Sequence, residues 1–163
     1  MTNTCPTRRV VMMGAVAALA ACGFQPVYGP GGGGAALQNA VLVDEPLTRD
    51  AYLLTREVEQ RLGRATDAQY GLGYDISVRE ESIAISSNDV TTRYNLIGQV
   101  TFALRDLSTQ KVVNSGKVNS FTGYSASGST VATQSAEQDA RERLMQILAD
   151  QMITRLIAVA PAP

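Results

Sequence analysis

Residues 93–105 read RYNLIGQVTFALR and alternate along their whole length between two kinds of side chain. One set is apolar apart from a glycine: Tyr94, Leu96, Gly98, Val100, Phe102 and Leu104. The other set is mostly polar: Arg93, Asn95, Gln99, Thr101 and Arg105. Because successive side chains of a β-strand point to opposite faces, this period of two predicts a long strand with one buried face.

The segments on either side of this strand predict further strands. Turn residues at 106–110 precede a returning strand, 111–124, so the pair forms a long β-hairpin. Upstream, Tyr74, Ile76 and Val78 alternate with polar residues, and Ile83 and Ile85 resume the alternation after Glu80-Glu81-Ser82, which predicts a strand bent or bulged in its middle. A short apolar strand, 40–43, comes before all of these and ends at Asp44-Glu45-Pro46.

Two amphipathic helices complete the pattern. Thr48 is placed to cap the first helix and Gly63 to end it, with apolar residues between them at a spacing of three to four. Ser135 and Gln138 have the spacing of a capping box at the start of the second helix, which we expect to end near Ala158, before Pro161. The second apolar stripe consists of Ala140, Leu144, Leu148, Met152 and Leu156.

The order strand, helix, three strands, helix predicts an α+β fold for residues 37–160. Two helices would pack on one face of a four-stranded, mostly antiparallel sheet and form a two-layer sandwich. The other face of the sheet would carry the polar set of the long strand toward solvent or a partner.

The N-terminal segment has the pattern of an export signal. Arg8-Arg9 precede a short apolar run, and Leu19-Ala20-Ala21-Cys22 at its end resembles the lipobox of bacterial lipoproteins. We therefore expect residues 1–21 to be removed and Cys22 to carry the lipid, with an ordinary secretory signal as the alternative. Residues 22–36 would form a lipidated N-terminus and a flexible Gly/Pro-rich linker.

The composition of the 142 residues left after removal of 1–21 argues against an enzymatic function. They contain 12 basic and 15 acidic residues and no histidine, a balance that does not favour nucleic-acid binding. The densest carboxylate pairs, Asp44-Glu45 and Glu80-Glu81, are adjacent in sequence and would point to opposite faces of a strand. The sequence therefore predicts neither an enzyme nor a metal site, and it requires no cofactor.

Three segments together resemble the LptE family of lipopolysaccharide-assembly lipoproteins, in its alphaproteobacterial form. They are residues 21–28 (ACGFQPVY), residues 92–96 (TRYNL) and residues 135–140 (SAEQDA). The resemblance implies a non-enzymatic subunit that plugs an LptD-type outer-membrane β-barrel, assists its assembly and contacts lipopolysaccharide. Gly23, where inner-membrane lipoproteins often have aspartate, favours sorting to the periplasmic side of the outer membrane.

Four basic residues of the long hairpin are candidate contacts for lipopolysaccharide phosphates or for the partner: Arg93, Arg105, Lys111 and Lys117. Arg93 is the strongest candidate because it lies in a segment that carries the resemblance. For each of the four, the competing interpretation is a solvated charge that discourages pairing of strand edges.

One alternative function stays open at this point. A free-standing periplasmic lipoprotein that binds a small or lipidic ligand would be a monomer with an apolar cavity between helices and sheet. The large apolar residues on the buried strand faces favour a filled core, and the long polar face favours a partner surface.

Overall fold

The computed structural model describes residues 32–85 and 91–159 and confirms the predicted α+β architecture. The helices and strands follow one another in the predicted order, with one additional short helix at the start. The elements are α1 (Gly33–Leu37), β1 (Val41–Val43), α2 (Arg49–Leu62), β2 (Tyr70–Ile85), β3 (Thr91–Asp106), β4 (Val112–Ser125) and α3 (Thr130–Val159).

The four strands form one sheet in the order β1-β2-β3-β4. β1 runs parallel to β2, and the two remaining pairs are antiparallel, so the sheet is mixed but mostly antiparallel. In the β3–β4 turn, the Asp106 carboxylate accepts hydrogen bonds from the backbone N–H groups of Ser108 and Thr109, both at 2.8 Å. Such side-chain bonds within a turn fix the register of the hairpin.

α2 begins and ends where its sequence predicted. The Thr48 hydroxyl accepts a hydrogen bond from the backbone N–H of Ala51 at 3.1 Å, which satisfies one of the free donors at the helix start. Gly63 follows the helix with a φ of 78°. A side chain at Gly63 would also collide with the amide of Asn39, since its Cβ would lie 2.0 Å from Oδ1.

The core lies between the helices and one face of the sheet. β3 contributes the alternate residues Leu96, Val100, Phe102 and Leu104, all buried. α2 and α3 contribute their apolar stripes, and the buried members of α3 include Leu144, Met145, Leu148, Met152 and Leu156. Large aliphatic side chains with no exposed surface therefore fill the space between the two layers.

α2 and α3 run in the same direction, and ion pairs follow the line along which they meet. Arg141 of α3 contacts Asp50 at the start of α2 at 3.1 Å, and Arg61 at the end of α2 pairs with Asp150. These side chains are partly exposed, so each pair contributes little to stability by itself. Their order along the two helices shows that the helices run in the same direction.

The start of α3 differs from the prediction. The helix begins at Thr130, and the Ser129 hydroxyl accepts a hydrogen bond from the backbone N–H of Ala132 at 3.3 Å. The predicted start at Ser135, with a capping box to Gln138, is therefore wrong. Ser129 is an equally good cap, and no helix-breaking residue lies between it and Ser135. The connection expected at 125–129 is observed at 126–129, since Ser125 is the last residue of β4.

The irregularity in β2 lies later than the sequence predicted. β2 pairs with β3 without interruption through Glu80 and Glu81, and the register shifts only after Ser82. Ile83 consequently does not rejoin the buried face and is 57% exposed. Since a shift of one residue exchanges the two faces of a strand, the position of the bulge decides which side Ile83 takes.

Several predictions fall wholly or partly outside the described residues. These are the signal segment 1–21, the lipid attachment at Cys22, most of the linker 22–36 and the role of Pro161. Within the described residues, α1 already begins at Gly33, before the expected domain start at Leu37, and Leu37 is fully buried. Between 32 and 159, leaving out 86–90, none of the helices has the length and apolarity needed to cross a membrane.

Candidate functional site

The sheet face turned away from the helices is the largest surface that the sequence marked as a candidate. We call it the open face. In the register of the sheet its side chains form rows across β2, β3 and β4. From the turn end to the far end, successive rows are Asp75–Thr101–Lys117, Ser77–Gln99–Asn119, Arg79–Ile97–Phe121 and Glu81–Asn95–Gly123.

The four basic candidates are all exposed, but the structure does not bring them together. Arg105 lies opposite Val112, next to Lys111 at the β3–β4 turn, and Lys117 lies opposite Thr101 in the middle of the sheet. Arg93 lies opposite Ser125 at the far end. Because a strand rises about 3.3 Å per residue, Arg93 and Arg105 are separated by about 40 Å along β3. The candidates therefore form at least two separate loci.

The locus at the turn end includes an acid. The Nη1 atom of Arg105 and the Oδ2 atom of Asp44 both approach Gly73 of β2, within 3.7 Å and 3.1 Å of the position that a Cβ atom would occupy. The absence of a side chain at Gly73 gives the guanidinium room to lie across β2 toward the carboxylate. The two side chains make no ion pair, but the nearby carboxylate lowers the positive potential around Arg105.

The locus at the far end combines Arg93 with apolar side chains that the sequence analysis did not single out. Ile97 and Phe121 are directly paired on β3 and β4, and Ile83 of β2 borders the same depression of about 430 Å³ as Arg93 and Phe121. Phe121 is 65% exposed. The period of two already places Ile97 and Phe121 on the polar face, so this signal was available, whereas Ile83 could not be placed without the bulge.

On the helix side of the same end, two tyrosines and a glutamate form a polar cluster. The rings of Tyr94 and Tyr124 are stacked with their centroids 5.3 Å apart. The Tyr124 hydroxyl donates a hydrogen bond to Oε2 of Glu80 at 2.8 Å. Burial of Tyr124, together with the neighbouring Glu80 carboxylate, raises the pKa of the Tyr124 hydroxyl above its ordinary value.

This raised pKa predicts a loss of stability in alkali. When the pH rises above about 10, the Tyr124 hydroxyl ionises in the unfolded chain before it ionises in the folded one, so ionisation favours unfolding. We expect the urea midpoint to fall between about pH 8 and about pH 10.5, and to fall less in Tyr124→Phe. An equal fall in both proteins would contradict the assignment. Burial raises the pKa of Tyr74 as well, so the variant keeps part of the fall.

The carboxylates of the described residues are not grouped for metal binding. Residues 32–85 and 91–159 contain no group of three or more Cys, Asp or Glu side chains placed to hold a metal ion. The carboxylates along the helices pair with arginines instead, as Asp50 does with Arg141. What the arrangement can do is present a broad polar face, with an apolar region and an exposed cation at one end, to another molecule.

A protein-family model described as "LptE: Lipopolysaccharide-assembly" matches residues 36–156 of the chain. The matched range extends from the end of α1 to the last turn of α3 and so contains all four strands and the two long helices. No match was found among curated protein sequences.

Several solved structures of lipoproteins share the fold. A candidate lipoprotein from Caulobacter crescentus CB15 is 22% identical, with a TM-score of 0.65 over 80% of this chain and 96% of the other. Rare lipoprotein B from Shewanella oneidensis is 14% identical, with a TM-score of 0.56 over 73% and 92%. A minor lipoprotein from Acinetobacter baumannii is 15% identical, with a TM-score of 0.52 over 73% and 89%. At these identities the similarity establishes a common fold.

Proposed function

The chain belongs to the LptE family of lipopolysaccharide-assembly proteins, and from this premise we propose that it is the lipoprotein partner of an LptD-type outer-membrane β-barrel. In this role it occupies the barrel, assists its assembly and contacts lipopolysaccharide on the way to the cell surface. Cys22 would carry the lipid that holds the protein on the periplasmic side of the outer membrane.

Membership in the LptE family establishes the general part of this function. The family consists of outer-membrane lipoproteins that act in lipopolysaccharide assembly and are not enzymes. The prediction that this chain is not an enzyme is therefore confirmed. The partnership with the barrel, the plug and the contact with lipopolysaccharide go beyond membership and form the proposal.

One observation carries the proposal: the family match covers the complete two-layer domain rather than a short motif. The construction of the domain is consistent with it. The space between helices and sheet is filled by fully buried side chains such as Leu96, Leu148 and Met152. A ligand-binding lipoprotein would need that space, whereas a plug needs a rigid body with an extended polar surface.

The decisive experiment is a pull-down of the full lipoprotein from outer membranes in mild detergent, with the retained proteins identified by mass spectrometry. We expect a large β-barrel in near-equimolar amount. Recovery of the protein alone would reject the partnership and favour the free-standing lipoprotein that binds a small or lipidic ligand.

We propose further that lipopolysaccharide phosphates contact Arg93 before the other hairpin cations, Lys111, Lys117 and Arg105. Arg93 is exposed, and its guanidinium makes no ion pair with any side chain in ranges 32–85 and 91–159. A guanidinium free of an acidic neighbour can offer paired donors to a phosphate. Arg105 is the weakest because of Asp44.

Charge reversal at Arg93 tests this assignment. We expect Arg93→Glu to lower the amount of lipopolysaccharide retained by the purified protein about tenfold, the loss typical of one charge-assisted contact. Arg155→Glu, an equal change of charge at an exposed site on α3, is the matched control and should retain the wild-type amount. Equal losses in the two variants would indicate a general effect of net charge and exclude a specific role for Arg93.

A further inference from the structure

Three apolar side chains lie together near the far end of the open face, and we call them the apolar patch: Ile83, Ile97 and Phe121. Ile97 and Phe121 face each other across β3 and β4. Ile83 lines the same depression as Phe121, because β2 pairs regularly through Ser82 and Ile83 therefore follows Arg79 and Glu81 on the open face. Depressions of about 430 Å³ and about 380 Å³ adjoin Phe121 and have Asn95 as a second common wall. Both are open and shallow, so solvent reaches the apolar side chains.

The apolar patch is bordered by uncharged polar groups and by cations. The amides of Asn95 and Asn119 flank it, with Arg93 at one end. Arg79, in the same row as the patch, is paired with Glu81 at 3.0 Å. Elsewhere on the open face Arg105 and Lys117 are offset by the acids Asp44 and Asp75, so the net positive charge beside the patch comes from Arg93, although the whole chain has a net charge of −1. The surroundings of the patch are therefore positive on a slightly negative protein.

The patch also lies far from the place where the N-terminal segment enters the domain. The chain enters beside the end of α2, where the backbone N–H of Asn39 donates to the carbonyl of Leu62 at 2.7 Å. That end of the sheet contains Tyr70 and Asp106. Ile97 is nine residues from Asp106 along β3, about 30 Å at the rise of a strand. The point where the N-terminal segment joins the domain and the apolar patch therefore lie toward opposite ends of the sheet.

We propose that the apolar patch docks on the wall of the partner β-barrel, at a site that offers apolar side chains bordered by carboxylates. This inference rests on the proposed function, since it specifies which surface meets the barrel. An aromatic side chain at the centre of a patch, surrounded by polar groups that exclude water, is the usual composition of a strong protein contact. The carboxylates would complement the cations that border the patch.

The geometry favours a protein over the other occupants. A lipid acyl chain is held in an enclosed groove that removes most of its surface from water, whereas the patch consists of three side chains beside shallow depressions. A second copy of this chain, docked face to face, would bring Arg93 and Lys117 of one copy toward the same cations of the other.

Photo-crosslinking in the full lipoprotein, expressed in its own cells, tests the proposal. A photoreactive phenylalanine analogue replaces Phe121 in one variant and Tyr52 in the control, because Tyr52 is also an exposed aromatic residue but lies on α2. We expect a higher yield of crosslinked barrel from position 121 than from position 52, because a docked patch stays in contact with the wall. Crosslinks from 121 to lipopolysaccharide or to a second copy of the chain, in place of the barrel, would overturn the proposal.

A substitution provides the second measurement. Phe121→Thr removes the ring and puts in its place a residue that also favours strands, and we expect it to lower the amount of co-purified barrel at least about tenfold. Val112→Thr, at an exposed site in the same strand near the turn, is the matched control and should retain the wild-type amount. Since Phe121 is exposed, circular dichroism should show both variants folded.

The results distinguish a wrong partner from a wrong docking surface. If the wild-type protein retains no barrel, the proposed function fails and the docking surface fails with it. If the wild-type protein retains the barrel but position 52 crosslinks and position 121 does not, only the docking surface is wrong. Equal retention by Phe121→Thr and the wild type would lead to the same conclusion.

Discussion

Leu144→Ala is expected to lower the free energy of unfolding by about 2–5 kcal/mol, the range for deleting a large buried aliphatic side chain. Leu144 has no exposed surface and lies on the stripe of α3 that faces the sheet. Its Cδ2 and Cγ atoms approach Gly98 of β3 at the position where a Cβ would stand. Removing the isobutyl group leaves a cavity that the rigid strand below cannot fill. Urea unfolding followed by circular dichroism measures the loss.

Ile147→Ala in the same helix is the control for this prediction. Ile147 is 37% exposed, so the substitution removes a comparable number of carbon atoms but less buried contact. We expect it to cost about 1 kcal/mol or less. If both variants lost the same stability, the effect would come from helix propensity or the unfolded chain and not from packing between α3 and the sheet.

The hairpin and the helix stripes could be predicted because each rests on a local rule. The polar and apolar sets of residues 93–105 occupy opposite faces of β3, as their alternation indicated. Thr48 and Gly63 bound α2 because a capping hydroxyl and a positive φ are properties of single residues. Where one residue or one period decides the structure, the sequence is sufficient.

Features that depend on a choice between near-equal local options were predicted less well. Ser129 and Ser135 are both competent helix caps, and the longer helix prevails because its extra turns meet no breaker. Similarly, the bulge in β2 could fall anywhere near Glu80-Glu81-Ser82, and it falls at the end of that run because pairing with β3 continues through Glu81. The position of the bulge is decided by pairing with β3, and the sequence of β2 alone does not contain that information.

The candidate site, like the fold, could be predicted only in part from the sequence. Each hairpin cation is exposed, as expected for a charged residue on the outer face, but their separation along β3 follows from register and could not be deduced from residue type. The position of Asp44 near Arg105 depends on the parallel pairing of β1 with β2, a contact of only three residues. The apolar patch depends on the bulge as well. The patch forms only when β2, β3 and β4 are paired in this register.

Gly98→Val is expected to destabilise the domain by about 1–3 kcal/mol, although valine favours strands more than glycine does. A Cβ at Gly98 would lie 2.9 Å from Cδ2 of Leu144 and 2.9 Å from Cδ1 of Leu148, so α3 approaches the sheet too closely for any side chain. Gly123→Val is the control, because Gly123 lies on the open face. There the nearest side-chain atom is the movable Oδ1 of Asn95, and we expect little loss or a small gain in stability.

The combination of Gly98→Val with Leu144→Ala distinguishes steric crowding from a change in strand propensity. Leu144 supplies two of the three atoms nearest to the missing Cβ, so its truncation opens space for the valine, and the valine in turn fills part of the cavity. The double variant should therefore lose less stability than the sum of the single variants, by about 1 kcal/mol or more. Gly123→Val and Leu144→Ala, on opposite faces of the sheet, should add to within about 0.5 kcal/mol. Additivity in both pairs would mean that the cost at Gly98 comes from the strand itself, and that the close approach of α3 to β3 does not limit the residue at this position.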